Sequence, residues 1–178
     1  LIAESASGRK NPKWLDTAEE LSGQLRSNLL THEAQLLDLT AARVAIAVDD
    51  LTGAGELLAR GRTEATDSLT ERLLELRAKA DLALARGRQR EALGHLGGGL
   101  DLLHNWQASF GSLDLMSSVV GHGRSLATIG IQLAIADGSP ELVFEWSERA
   151  RALTTRVVPV HPPQDAQLAA DLVEIRKL

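Results

Sequence analysis

Residues 85–103 read ARGRQREALGHLGGGLDLL and place four glycines, Gly94, Gly97, Gly98 and Gly99, within six positions. Two kinds of local structure use glycine at this density. A phosphate-cradling loop sets it between a strand and a helix, usually with Lys-Ser or Lys-Thr following. A helix that a neighbour approaches closely uses it in place of a side chain. The segment before Gly87 is periodic at helical spacing, with Leu69, Leu73, Leu76, Ala80 and Leu84 along one side. Gly99 is followed by Leu-Asp-Leu-Leu, and no G-x-G-x-x-G spacing occurs. The glycines therefore read as close helix packing, with Gly99 as a helix–helix contact point. Gly121, Gly123 and Gly130 carry the same message further along.

The rest of the chain agrees with a helical reading. Its 178 residues suffice for one domain with a sizeable core. No proline occurs from residue 13 to 139, and Leu and Ala dominate that span. Aromatics make up only 3%, so small and aliphatic side chains must build the core. The net charge of -5 argues against a broad electrostatic grip on nucleic acid or on an anionic membrane. No apolar run approaches the roughly 18 residues of a membrane span. The absence of cysteine removes disulfides, thiolate metal sites and a cysteine nucleophile, and fits a cytoplasmic setting. The sequence starts at Leu1 rather than Met and stops within a helical pattern, which leads us to expect a longer parent chain.

Caps and periodicity predict helices over 17–29, 32–49, 52–61, 69–86, 89–106, 113–137 and 140–154. Asp16 with Glu19 and Ser68 with Glu71 read as capping boxes, Asp50 and Ser112 as caps, and Ser139-Pro140 as a restart. The second helix is drawn from an apolar pattern through Leu36, Leu37, Thr40, Val44, Ala47 and Val48. VVPVHPP reads as an extended linker before a last helix from near Asp165, with Leu168, Ala169, Leu172 and Ile175 on one stripe. The organisation is thus a helical domain over 1–158, and a linker and helix start over 159–178 leading to a further domain.

A repeat runs through these helices. A glycine or aspartate ends one helix, a small residue follows five positions on, and contact positions follow at nine and twelve. Gly87 is followed by Ala92, Leu96 and Gly99, and Gly138 by Val143, Ser147 and Ala150. Asp50 is followed by Gly55, Ala59 and Arg62. This is the pattern of tetratricopeptide helix pairs, with spacings of 37 and 51 against about 34 for the standard repeat. The predicted fold is all-α: stacked antiparallel helix pairs, a degenerate TPR-like solenoid with lengthened helices. Aligned on that pattern, Thr40, Arg77, Asp81, Thr128 and Gln132 fall on the first helices and are the candidates for a partner groove.

No catalytic set is legible. The five histidines form no H-x-x-x-H pair, and no G-x-S-x-G occurs. Asp101 and His104 share a helix face, which reads as a solvated hydrogen bond rather than an edge of a metal site. His122 reads as a buried, hydrogen-bonded side chain. Trp106 and Trp146 read as caps at the outer ends of second helices. No cofactor and no metal is expected.

The stretch VVGHGRSLATIGIQLAIADGSPELVFEWSERARAL, followed by VVPVHPPQDAQLAADLVEIRKL, resembles the helical region of actinobacterial proteins that carry a CHAT domain, a caspase-like protease module associated with tetratricopeptide repeats. ALARGRQREALGHLGGGLDLL also fits the repeat that precedes the long helix there. The resemblance covers residues 70–178. It implies a non-catalytic sensing or scaffolding region that binds a protein or peptide partner and controls a protease module further along the same chain. The catalytic His and Cys of that family belong to the module, so no catalytic residue carries over. The other function read from the sequence is a helical sensor arm of a bacterial transcription regulator or signalling ATPase.

Overall fold

In the computed structural model the described residues are 13–63, 68–108 and 113–155, without the side chains of 107–122 and 154–155. Among them there are seven α-helices and no strand: α1 (Lys13–Ser27), α2 (Thr31–Ala47), α3 (Leu51–Arg60), α4 (Leu69–Ala85), α5 (Gln89–Ala108), α6 (Leu113–Asp137) and α7 (Pro140–Thr155). Each helix packs on the next in sequence, α4 also packs on α2, and α5 touches α7. The proposed cap at Ser112, the His122 side chain and everything from 156 onward lie outside the described residues.

α1 runs further back than its expected start at 17. Trp14 and Ala18 are both buried, so the helix extends to bring Trp14 into the core, and Asp16 lies inside its first turn rather than capping it. The caps at Asp50, Ser68 and Ser139 sit as expected. Asp50 accepts from the Gly53 amide at 3.0 Å, Ser68 and Glu71 form the reciprocal capping box, and Ser139 accepts from the Leu142 amide at 3.2 Å.

Four turns share one conformation. Leu29, Asp49, Gly87 and Gly138 all adopt positive φ, between 62° and 78°. In the first three, the residue that follows donates its amide back to the last helical turn. Leu30 reaches Leu25 at 2.9 Å, Asp50 reaches Ala45 at 2.9 Å, and Arg88 reaches Ala83 at 2.8 Å. This is the Schellman closure, which favours glycine and tolerates aspartate at the left-handed position.

These turns correct the repeat register. The residue equivalent to Gly87 and Gly138 is Asp49, because Asp50 is occupied as the cap of α3. Counted from Asp49, the positions five, nine and twelve residues on are Ala54, Leu58 and Gly61, all buried. They match Ala92, Leu96 and Gly99, whereas Gly55, Ala59 and Arg62 are half-buried or exposed. Four residues before each turn stand Ala45, Ala83 and Ala134, again all buried.

Two apolar clusters result. One joins Trp14, Leu39, Leu57 and their neighbours from α1, α2 and α3 to Ala78 and Leu82 of α4. The other joins Leu73, Ala80 and Ala83 of α4 to Leu96, Leu103, Leu126 and Trp146 of α5, α6 and α7. α2 differs from expectation: Leu36 and Ala47 are exposed, while Ala34, Asp38, Leu39, Ala41, Ala42 and Ala45 are fully covered. It packs against α1, α3 and α4 at once, so small residues hold its crowded faces and some larger ones fall at the rim.

Gly99 is a close-approach position. A Cβ there would lie 2.7 Å from Leu126 Cδ1 of α6 and 3.7 Å from Leu73 Cδ2 of α4. At Gly98 it would meet only Leu76 Cδ2, at an ordinary 3.9 Å. Gly99→Leu is therefore expected to cost about 1–3 kcal/mol by overpacking. Gly98→Ala is expected to be neutral or to stabilise by up to about 1 kcal/mol through helix propensity. Urea titration of the two variants checks the contrast, and equal midpoints would refute it. Trp146 corrects a second expectation: it lies mid-helix in α7, buried against Gly130 of α6, while Trp106 sits near the end of α5 and is partly exposed.

Candidate functional site

Helices α2, α4 and α6 share a row of polar side chains. Arg77 and Asp81 are one turn apart on α4, and the Arg77 Nε–H donates to Asp81 Oδ1 at 2.9 Å. Arg77 Nη1 donates to Ser125 Oγ of α6 at 2.7 Å. On the other side, Arg43 Nε of α2 stands 4.0 Å from Asp81 Oδ2, an ion-pair rather than a hydrogen-bond distance. The row Arg43–Asp81–Arg77–Ser125 thus crosses all three helices.

Register explains the alignment. Counted back from Asp49, Gly87 and Gly138, Arg43, Asp81 and Gln132 occupy the same position, six residues before the turn, and Arg77 and Thr128 share the position ten before it. Of the sequence candidates, Arg77 and Asp81 are brought together, and Thr128 and Gln132 are exposed on α6. The Thr128 hydroxyl donates to the Arg124 carbonyl at 2.8 Å, leaving its oxygen as an acceptor. Thr40 is half-buried, one turn before Arg43. Sequence reading missed Arg43 and Ser125. Placing the first turn at Asp49 instead of Asp50 would have pointed to Arg43.

The row has the charge to take a carboxylate. Two guanidiniums share one carboxylate, leaving one positive charge in excess. Arg77 is committed at two of its nitrogens, and its side chain is only 26% exposed. The Arg43 side chain is 48% exposed and less tightly held, so it is the cation an incoming carboxylate reaches first.

A second polar site lies across α3, α4 and α5. Gly55, Arg62, Glu75, Lys79, Arg86 and His95 line a groove of about 520 Å³. Glu75 is buried, pairs with Lys79 at 2.6 Å, and accepts from the Thr63 amide at 3.0 Å and from the Thr63 hydroxyl. Burial alone would push its carboxyl up, but Lys79 and Thr63 together outweigh that and hold it below the ordinary 4.5. His95 is held below its ordinary 6.5, by burial first and then by Lys79, with Glu91 opposing. Both folded values are depressed. Their contribution to stability is thus complete above the unfolded values and is lost as pH falls through the folded ones. The denaturation midpoint is expected to fall steadily from pH 7 to pH 4, and Glu75→Gln should flatten the part below 4.5. A wild-type midpoint that rises on acidification would contradict this assignment.

Compared with protein-family models, with curated proteins and with solved structures, the chain matches none. The site therefore rests on its own geometry. Among the described residues no group of three His, Cys, Asp or Glu side chains is placed to hold a metal ion. No described helix is long and apolar enough to cross a membrane. Asp101 pairs with Arg149 of α7 at 3.4 Å, across the helix interface. Arg149 also bonds Glu145 at 3.1 Å and lies 5.7 Å from the centroid of the Trp146 ring.

Proposed function

We propose that α2/α3, α4/α5 and α6/α7 are three degenerate tetratricopeptide-like pairs forming a non-catalytic domain that binds a protein or peptide. Its face is built by α2, α4 and α6. The observation that carries this reading is the polar row Arg43–Asp81–Arg77–Ser125, which crosses the first helix of each pair. The shared left-handed turns and the matched small positions behind them support the pairing. The guest the row suits is an acidic peptide, its carboxylate on Arg43 and its backbone on Thr128 and Gln132. Under the resemblance to CHAT-associated helical regions, such binding would control a protease module of the same parent protein.

The test is fluorescence anisotropy with labelled acidic peptides bearing a free or an amidated C-terminus. The double variant Arg43→Ala, Gln132→Ala is expected to bind at least about tenfold more weakly, a loss of about 1.4 kcal/mol. Its melting temperature should hold, because exposed polar groups contribute little to stability. Arg77→Ala is the less clean probe, since it also severs the Ser125 bond between α4 and α6 and should cost about 1 kcal/mol of stability. Unchanged affinity in the double variant would place binding on another face.

A further inference from the structure

The free edge of the third pair is unlike the equivalent edges of the first two. Two positions define that edge: three residues before each left-handed turn and six residues after it. In the first pair these are Ile46 and Gly55. Ile46 packs against the cluster that Ala78 and Leu82 of α4 complete, and a Cβ on Gly55 would stand 3.1 Å from Arg86 Nη2, at the end of α4. In the second pair they are Leu84 and Leu93. Leu84 packs against the cluster that α6 and α7 complete, and Leu93 is buried within it. Ile46, Leu84 and Leu93 are thus packed, and Gly55 faces Arg86. In the third pair they are Ile135 and Phe144, which are 62% and 68% exposed. Phe144 also borders a groove of about 580 Å³ between α5 and α7, walled by Leu100, Asp101 and His104 of α5 and reaching Ala152 and Leu153 on α7.

We propose that residues 165–178 of this chain cover Ile135 and Phe144 as the first helix of a fourth pair. The proposal rests on the repeat reading above. The sequence supplies a matching face: Leu168, Ala169, Leu172 and Ile175 recur at helical spacing after the last proline. Residues 156–164 can reach: nine residues span up to about 30 Å, and Phe144 lies only about 16 Å along α7 from Thr155. Lengths agree as well. From Leu168 to Ile175 a helix rises about 10 Å, and from Phe144 to Ala152 about 12 Å. A helix returning along α7 after that linker sets Leu168 near Ala152 and Ile175 near Phe144.

The chain has no cysteine, so pairs of introduced thiols report contacts without background. The test uses the full 178-residue chain and a short thiol cross-linker. Phe144→Cys with Ile175→Cys is expected to link within one chain at least tenfold faster than Phe144→Cys with Ala170→Cys, which lies on the opposite side of the stripe. Arg43→Cys with Asp81→Cys, across α2 and α4, controls for the pairing itself. Linking of the control together with equal rates for the two test pairs would overturn the proposal and leave the repeat reading standing. Links formed only between chains would overturn it too, and would assign the edge to a second copy. Failure of the control would instead strike the repeat reading on which the proposal rests.

Discussion

Gly130→Ala is expected to destabilise the protein by about 2–3 kcal/mol, although alanine is the better helix former. A Cβ at Gly130 would overlap Cε3 and Cζ3 of Trp146 and lie 2.6 Å from its Cδ2. The contact is with a flat, rigid ring that is 2% exposed, so no flexible chain end can swing aside. Either the indole leaves its place or α6 and α7 separate, and both outcomes open the cluster that includes Leu126, Ala134 and Leu153. Propensity favours alanine by only about 1 kcal/mol, so the clash decides the sign. Gly94→Ala is the control: nothing lies within 4 Å of its added carbon, and it should stabilise by up to that amount. Guanidinium titration of both variants checks the pair. A Gly130→Ala protein as stable as wild type would mean that the two helices do not meet there.

Asp38→Ala carries the other large expected effect, a loss of about 3 kcal/mol. Asp38 is fully buried on α2. Its Oδ2 accepts from Arg26 Nη2 of α1 at 2.7 Å, and its Oδ1 faces Arg60 Nε at the end of α3 at 3.9 Å. Arg26 further donates to Ser22 Oγ and to the Arg60 carbonyl, and Arg60 pairs with Glu19 of α1 at 2.5 Å. One carboxylate thereby ties α1, α2 and α3, and its removal leaves two guanidiniums without their shared counter-charge. The guanidiniums are each about a third exposed, which places the loss at the lower end of the range for broken buried pairs. A double-mutant cycle with Arg26→Met measures the coupling. The double variant should regain part of the loss, whereas strict additivity would show that Asp38 and Arg26 act independently.

The all-helical class was legible because proline is missing from 13 to 139 and the caps at Asp50, Ser68 and Ser139 are strong. Gly99 was legible as a contact point because no loop chemistry surrounds it. The first turn was misplaced by one residue because aspartate at 49 and at 50 carries the same local signal. Only the fold assigns the left-handed position to one and the cap to the other. That single shift hid Arg43. Asp38 escaped notice because the apolar stripe was drawn through Leu36 and Leu37, the large side chains, whereas a helix packed against three others fills its inner faces with alanine. Ser125 could not be found from sequence, since its partner Arg77 lies 48 positions away.

Chemical-shift mapping on titration with an acidic peptide carrying a free C-terminus tests most directly whether the face of α2, α4 and α6 is the binding surface. The perturbed amide and side-chain signals are expected to gather at Arg43, Arg77, Asp81, Ser125, Thr128 and Gln132, with α3, α5 and α7 quiet. Perturbations centred on the groove of α3, α4 and α5, or along α7, with Arg43 and Gln132 unmoved, would contradict it.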